Sequence, residues 1–272
     1  KVASGAKLLL DTLKEFPEQP LTFSIDDENF GMKINSINGT YSFVGANGNE
    51  YPEMPIENDA NKTFSMPANE MLDAINKTIF CTADDELRPV MNGIFFDLKE
   101  DGISLVATDA HRLVRYRNIN IKTENPISFI LPKKPATLLK SVLGKESDDV
   151  TVSFGEKNAT FTFGNTRIVC RQIEGRFPNY KAVIPQETVM SAIIDTDGFK
   201  MAFDRVSLCA SDNNLVRMRF EEGRVSLLSQ DIDFSLSGEE SLPCQFSGAG
   251  IEIGVKAKYM TGILQNLPSN QV

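Results

Sequence analysis

The chain is poor in the residues that metal and nucleophile chemistry draw on. Its 272 residues include one histidine, His111. The four cysteines, Cys81, Cys170, Cys209 and Cys244, are far apart in apolar surroundings, so neither a metal-ligand pair nor a redox Cys-x-x-Cys is available. They read as reduced core cysteines. No Gly-x-Ser-x-Gly elbow is present. Gly248-Ala249-Gly250 runs into strand-like Ile251-Glu252-Ile253 rather than a Lys-Ser/Thr at a helix start, which removes a phosphate-cradling loop. The acidic run Asp84-Asp85-Glu86 reads as a solvated loop, and no cofactor is implied. No apolar run approaches the roughly 20 residues that span a bilayer, so no membrane association is expected. Positive charge is also scarce. A formal net charge of −9 argues against a tight, sequence-reading DNA binder, because such binding draws on Lys and Arg neutralising phosphates. The start, Lys1-Val2-Ala3-Ser4-Gly5, has neither an initiator Met nor a signal-peptide layout, and the end at Val272 follows a helix-like segment, so trimming at both ends is expected.

What is present is a repeat. Hydrophobic residues at 41% and charged residues at 24% are ordinary for a globular chain, and the length suggests two or three units. One kind of unit opens with a helix, Met71, Leu72, Ile75 and Ile79 in one copy and Phe199, Ala202, Phe203 and Val206 in another. Hairpins follow, 93–98 with 103–109 and 215–220 with 224–231, each around a polar, Gly-containing turn. A second kind of unit begins with helices at 6–16, 135–143 and 256–267. Strands follow the first two, and the endings Glu50-Tyr51-Pro52-Glu53-Met54-Pro55 and Arg176-Phe177-Pro178-Asn179-Tyr180 correspond. Alternating strands with one helix per half-unit give an α+β architecture. The pattern restarts after the stretch Pro55 to Asn61 and near Pro185-Gln186, giving domains of 1–58, 59–185 and 186–272, of which only the middle one holds both half-units in full.

The segment Leu105-Val106-Ala107-Thr108-Asp109-Ala110-His111-Arg112-Leu113 resembles the A-T-D-G-H-R-L signature of bacterial DNA polymerase III beta-subunit sliding clamps, with Ala110 in place of the usual Gly. Arg88-Pro89-Val90-Met91-Asn92-Gly93 is similar to the family's R-P-x-L-N-G, Glu174 to Tyr180 to its E-G-x-F-P-x-Y, and Glu252-Ile253-Gly254 with Tyr259 to its E-I-G-x-N-x-x-Y. The four occur in family order and spacing, and the resemblance covers essentially the whole chain. The resemblance implies the DNA-clamp fold, with repeated helix-plus-antiparallel-sheet domains forming a head-to-tail homodimeric ring, helices inside and sheets outside. It implies a non-enzymatic, cytoplasmic bacterial processivity factor that encircles double-stranded DNA without reading its sequence. Its other implied partners are the replicative polymerase, the clamp loader and repair polymerases, bound through short peptides.

Carried over residue by residue, the peptide pocket is Met91, Thr108, Ala110, His111, Arg112, Leu113, Pro178, Val183 and Tyr259. Lys256 stands where relatives often have Asn and Ala182 where some have Arg, so the rim polarity differs. The strand that completes the pocket in relatives lies beyond Val272, which implies an open, weakened pocket here. Lys77, Lys134, Lys140, Lys200 and Arg205 are the helix cations expected to face DNA, with Arg88 ahead of a loop that approaches DNA in relatives. A ring holds DNA by topology, so diffuse charge suffices and an acidic total is no obstacle. The implied subunit junction joins Ala6 to Leu13 and Gly39 to Phe43 of one subunit to Ser207-Leu208 and Gln230 to Glu240 of the other, with Leu208 as its test position.

Two other classes compete with this reading. A hydrolase would use His111 with Asp109, two apart on a strand and so on one face, but no nucleophile accompanies them. A peptide-binding adaptor that never closes on DNA is the alternative left by the missing ends.

Overall fold

The structure, a computed structural model, describes residues 1–52, 62–210 and 215–272. Two compact units emerge, 1–56 and 57–272. The first holds β1 (Val2–Ala3), α1 (Ala6–Lys14), β2 (Thr22–Ile25), β3 (Gly31–Asn35), β4 (Thr40–Val44) and β5 (Ala46–Asn47). Strands β2, β3 and β4 form an antiparallel sheet, and β1 pairs with β5. The expected boundary at 58/59, with Glu53, Met54 and Pro55 to Asn61, lies outside the described residues.

The second unit begins with two βαβββ motifs in series. One is β6 (Thr63–Pro67), α2 (Ala68–Ile79), β7 (Gly93–Lys99), β8 (Gly102–Thr108) and β9 (Leu113–Asn118). The other is β10 (Ile127–Pro132), α3 (Lys133–Leu143), β11 (Asp149–Phe154), β12 (Asn158–Phe163) and β13 (Thr166–Arg171). Each motif lends its leading strand to the other's sheet, so the orders are β10-β7-β8-β9 and β13-β12-β11-β6, antiparallel throughout. The exchange ties the halves together through backbone hydrogen bonds as well as a shared core.

That core follows from sequence periodicity. On α2 the buried residues Ala68, Met71, Ala74, Ile75 and Thr78 recur at helical spacing, and on α3 Ala136, Leu139 and Leu143 do the same. They meet Ile94, Phe96 and Leu98 of β7 and Val150 and Val152 of β11, which alternate with residues on the opposite face. Strand β8 is buried along its whole length because a second, smaller cluster covers its other face: Val106, Ile130, Phe177 and Tyr180, with Val90, Phe95, Leu113 and Ile184. Phe177 stacks on Phe95, ring centroids 4.7 Å apart.

A third set repeats the plan: β14 (Ser191–Ile193), α4 (Thr196–Ser207), β15 (Leu215–Glu221), β16 (Arg224–Asp231), β17 (Leu236–Pro243), β18 (Gln245–Ser247), β19 (Ile251–Lys256) and α5 (Ala257–Leu264). Here β19, which leads α5, pairs with β15 as β10 pairs with β7. The chain after α5 returns beside the lead into α4: Ile194 and Val272 exchange both backbone hydrogen bonds, and the Thr196 amide donates to Asn270.

The sequence reading opens each half-unit with a helix; the structure puts a strand first. These leading strands are missed because Thr63-Phe64-Ser65-Met66-Pro67 and Ile127 to Pro132 run straight into helices, the last proline of each strand serving as the helix N-cap with no loop between. Helix α5 is also shorter than expected, and α3 starts two residues earlier, Pro135 being accommodated in its first turn.

Candidate docking site and DNA-facing helices

Strand β8 ends at Thr108, one residue before the expected Asp109, and the next four residues form a turn held by two side chains. Thr108 donates from Oγ1 to the Arg112 carbonyl at 2.8 Å and accepts from the Ala110 amide at 3.1 Å. One Asp109 carboxylate oxygen accepts the amides of His111 and Arg112, both at 3.0 Å, and the other accepts Arg112 Nε at 3.0 Å. Burial pushes the Asp109 carboxyl up, but these amides and the Arg112 guanidinium outweigh it and hold its pKa below the ordinary aspartate value. The two-apart, same-face strand geometry expected of His111 and Asp109 is therefore corrected. The pair lies on a turn, and the carboxylate takes the histidine's backbone N–H.

Arg112 reaches away from the turn as a strut. Its guanidinium donates to the Phe80 carbonyl at 3.1 Å, where α2 ends, and its carbon lies 5.5 Å from the Phe80 ring centroid and 4.9 Å from that of Tyr259 on α5. A Cβ on Gly262 would come within 2.7 Å of the same guanidinium, so this helical glycine gives the arginine room. Both Arg112 and Asp109 are largely shielded from solvent. His111 stacks on Tyr259, centroids 5.5 Å apart and planes 19° apart. Thr108, Ala110, His111, Arg112, Leu113 and Tyr259 are thus brought together, with Thr108 and Arg112 as organisers of the turn rather than exposed wall.

Leu113 is half-buried and belongs to the cluster of Val90, Phe177 and Ile184; it also lines a cavity of about 220 Å³ with Phe80, Tyr116, Ile263, Leu267 and Pro268. Beside the turn a larger, polar cavity of about 510 Å³ is lined by Asp84, Asp85, Arg88, His111, Lys258 and Tyr259. Met91 closes a short 3-10 turn and accepts the Ala83 amide at 2.9 Å. Pro178 is half-buried next to Phe177, while Val183 is 67% exposed. Phe80, Val90, Phe177 and Gly262 were missed from the site. The sequence carries a signal for Val90 and Phe177, which stand in the Arg88–Gly93 and Glu174–Tyr180 segments, and none for Phe80 and Gly262.

The cations expected to face DNA divide into two groups. Lys77 pairs with Asp73 at 2.6 Å, Arg88 with Asp85 at 2.7 Å, and Arg205 with Glu240 through two bonds of 2.8 and 2.7 Å. Lys134 and Lys140 on α3 and Lys200 on α4 have no carboxylate partner among the described residues. Leu208 follows α4 and is 80% exposed, and Ile232, Phe234 and Leu236 of the β16–β17 turn region are exposed as well. No group of three His, Cys, Asp or Glu among the described residues is placed to hold a metal ion, and no described helix is long and apolar enough to cross a membrane.

Serial βαβββ motifs, with helices packed on one face of antiparallel sheets, define a DNA clamp. Residues 65–179 match the family model for the DNA polymerase III beta subunit, central domain, and residues 181–272 that for its C-terminal domain. The beta sliding clamp of Synechococcus elongatus is 25% identical over 98% of this chain and 72% of its own length, and that of Staphylococcus aureus 25% identical over 100% and 72%. Among solved structures, the Pseudomonas aeruginosa beta subunit superposes with a TM-score of 0.91 at 20% identity, over 99% of this chain and 74% of that one. The Bacillus subtilis sliding clamp gives 0.91 at 22%, over 99% and 72%. The chain belongs to the DNA polymerase III beta-subunit family, the bacterial sliding clamps. Its function is that of a replication processivity factor with no catalytic activity, and this decides against both the hydrolase and the isolated adaptor.

Proposed function

We propose that the turn at 108–113, together with Tyr259 and flanked by Met91, Pro178 and Val183, is the docking site for peptides of the replicative polymerase, the clamp loader and repair polymerases. The observation that carries this is the state of Leu113. It sits half-buried in an apolar cluster next to a turn fixed by Asp109 and by the His111–Tyr259 stack, a preformed recess with a rigid edge. Short linear motifs bind such recesses through a few apolar anchors, because little conformational entropy is lost on the receptor side.

In the same reading, the layer of α2, α3, α4 and α5 faces double-stranded DNA. Lys134, Lys140 and Lys200 supply unpaired charge, and Lys77, Arg88 and Arg205 can exchange carboxylate partners for phosphates, since exposed ion pairs are worth only about 0–1 kcal/mol. Residues 1–58, 59–185 and 186–272 correspond to the later part of a first clamp domain, a whole second and part of a third. The protein works in the bacterial cytoplasm as a homodimer with Leu208 at the junction.

Anisotropy titration with a fluorescent clamp-binding peptide tests the docking site. Saturable binding that weakens at least roughly tenfold, about 1.4 kcal/mol, in both His111→Ala and Leu113→Ala is expected. Unchanged affinity in both variants would remove these residues from the site.

A further inference from the structure

One face of the β10-β7-β8-β9 sheet changes character along its strands. The register sets Leu113 opposite Thr108, Arg115 opposite Val106 and Arg117 opposite Ser104, while β7 sets Phe95 opposite Val106 and Asp97 opposite Ser104. Residues two apart on a strand share a face at a spacing of about 7 Å, so Leu113, Arg115 and Arg117 form one row. At the Leu113 end this face is apolar, with Val106, Phe95, Phe177 and Ile184. Further along lies a cavity of about 230 Å³ whose charged lining is Lys99, Arg115, Arg117 and Lys181 against Asp97 and Asp101. Ile184 belongs to both the apolar cluster and the cavity wall, so the two are continuous.

The cavity is a built feature. Asp97 is 6% exposed, accepts the Tyr180 hydroxyl at 2.8 Å and pairs with Lys99 at 3.0 Å, which fixes the floor. Arg117 is occupied by Asp101 at 2.9 Å. Arg115 and Lys181 have no carboxylate partner among the described residues; Lys181 lies 5.9 Å from the Tyr180 ring centroid. Four cations against two carboxylates leave an excess of positive charge, in a chain whose formal total is −9.

We propose that this cavity receives carboxylate side chains from an acidic segment flanking the apolar anchors of a docked peptide, with Arg115 and Lys181 as their partners. This rests on the docking site proposed above. DNA phosphate is the poorer occupant, because α2 and α3 pack on the other face of the sheet, where Phe96, Leu98 and Leu105 point. An acidic flank leaving the Leu113 recess reaches Arg115 within two residues of extended chain.

The test titrates the whole chain with two labelled peptides that share one apolar clamp-binding core, one flanked by glutamates and the other by glutamines. At low salt the acidic-flank peptide is expected to bind roughly fivefold more tightly, in line with two partly exposed ion pairs, and to lose that advantage as salt rises. Arg115→Glu and Lys181→Glu should erase the advantage and leave the glutamine-flank affinity unchanged, with circular dichroism confirming the fold. Equal affinity of the two peptides for the unmodified chain, or an advantage that survives both substitutions, overturns the proposal while the docking site stands. Failure of both peptides to bind overturns the docking site itself.

Discussion

Ala110 is the residue at which the backbone of the 109–112 turn is strained. Its φ is +72°, in the left-handed region where a Cβ approaches the following carbonyl oxygen. The strain is held in place by Thr108, whose hydroxyl accepts the Ala110 amide, and by Asp109, which binds the next two amides. Glycine carries no such penalty there. Ala110→Gly is therefore expected to stabilise the protein by about 1 kcal/mol, after the glycine's larger unfolded-state entropy is subtracted. Urea denaturation reads this as a higher midpoint at unchanged slope, and a lower midpoint would mean that the alanine methyl contributes packing that outweighs the strain. Nearby, burial pushes the Cys81 thiol up to about 11, and its sulfur donates to the Arg112 carbonyl at 3.4 Å, so this cysteine is an inert part of the turn's backing.

Among the elements, the 109–112 turn couples two helices. Arg112 is bound by Asp109 on its own turn, by the carbonyl ending α2, and by the Tyr259 ring on α5. Because the Asp109 pKa is depressed in the folded protein, its stabilising contribution is present above the ordinary aspartate value, near 4, and is lost as pH falls through the lower folded value. Asp109→Asn should thus cost stability at pH 7, by about 1–3 kcal/mol for a largely shielded, hydrogen-bonded charge. The deficit relative to the unmodified protein should shrink as pH drops below about 4. Thermal unfolding of both proteins across that range decides it, and a deficit independent of pH would assign the loss to geometry instead of charge. None of this coupling was legible in the sequence. The clamp motif marked Thr108 to Leu113 as a site, and helical spacing located α2 and α4 because their apolar stripes are long and regular. The roles within the turn were hidden, since Asp109 with His111 reads equally well as a strand pair, and the reason for Gly262 exists only once Arg112 lies against α5. The strand exchange between half-units was hidden for a related reason: pairing of β6 with β11 joins residues more than eighty apart, and local pattern carries no information about it.

At the scale of the whole molecule, a clamp must hold DNA without gripping it, and the charge distribution suits that demand. Three of the proposed DNA-facing cations are already paired with carboxylates of this chain, and the others, exposed Lys134 and Lys140 on α3 and half-buried Lys200 on α4, are divided between two helices. In the proposed homodimeric ring, retention comes from closure, which makes the subunit junction the energetic centre of function. Leu208 at 80% exposure, with Ile232 at 79% and Phe234 at 76%, offers apolar surface where α4 ends and the β16–β17 turn projects; Gly238 of β17 lies against Cys209, which ties these two segments together. Exposed leucine, isoleucine and phenylalanine on these two segments are a candidate interface, because water contact at each costs free energy that a partner's apolar face removes. Leu208→Lys puts a charge at that position while leaving the core of α4, Phe199, Ala202, Phe203 and Val206, untouched. Sedimentation velocity should therefore show any specific dimer of this chain converted to monomer at the same concentration, with thermal stability of the monomer preserved. An unchanged sedimenting mass would move the junction away from α4 and leave the apolar patch to another partner.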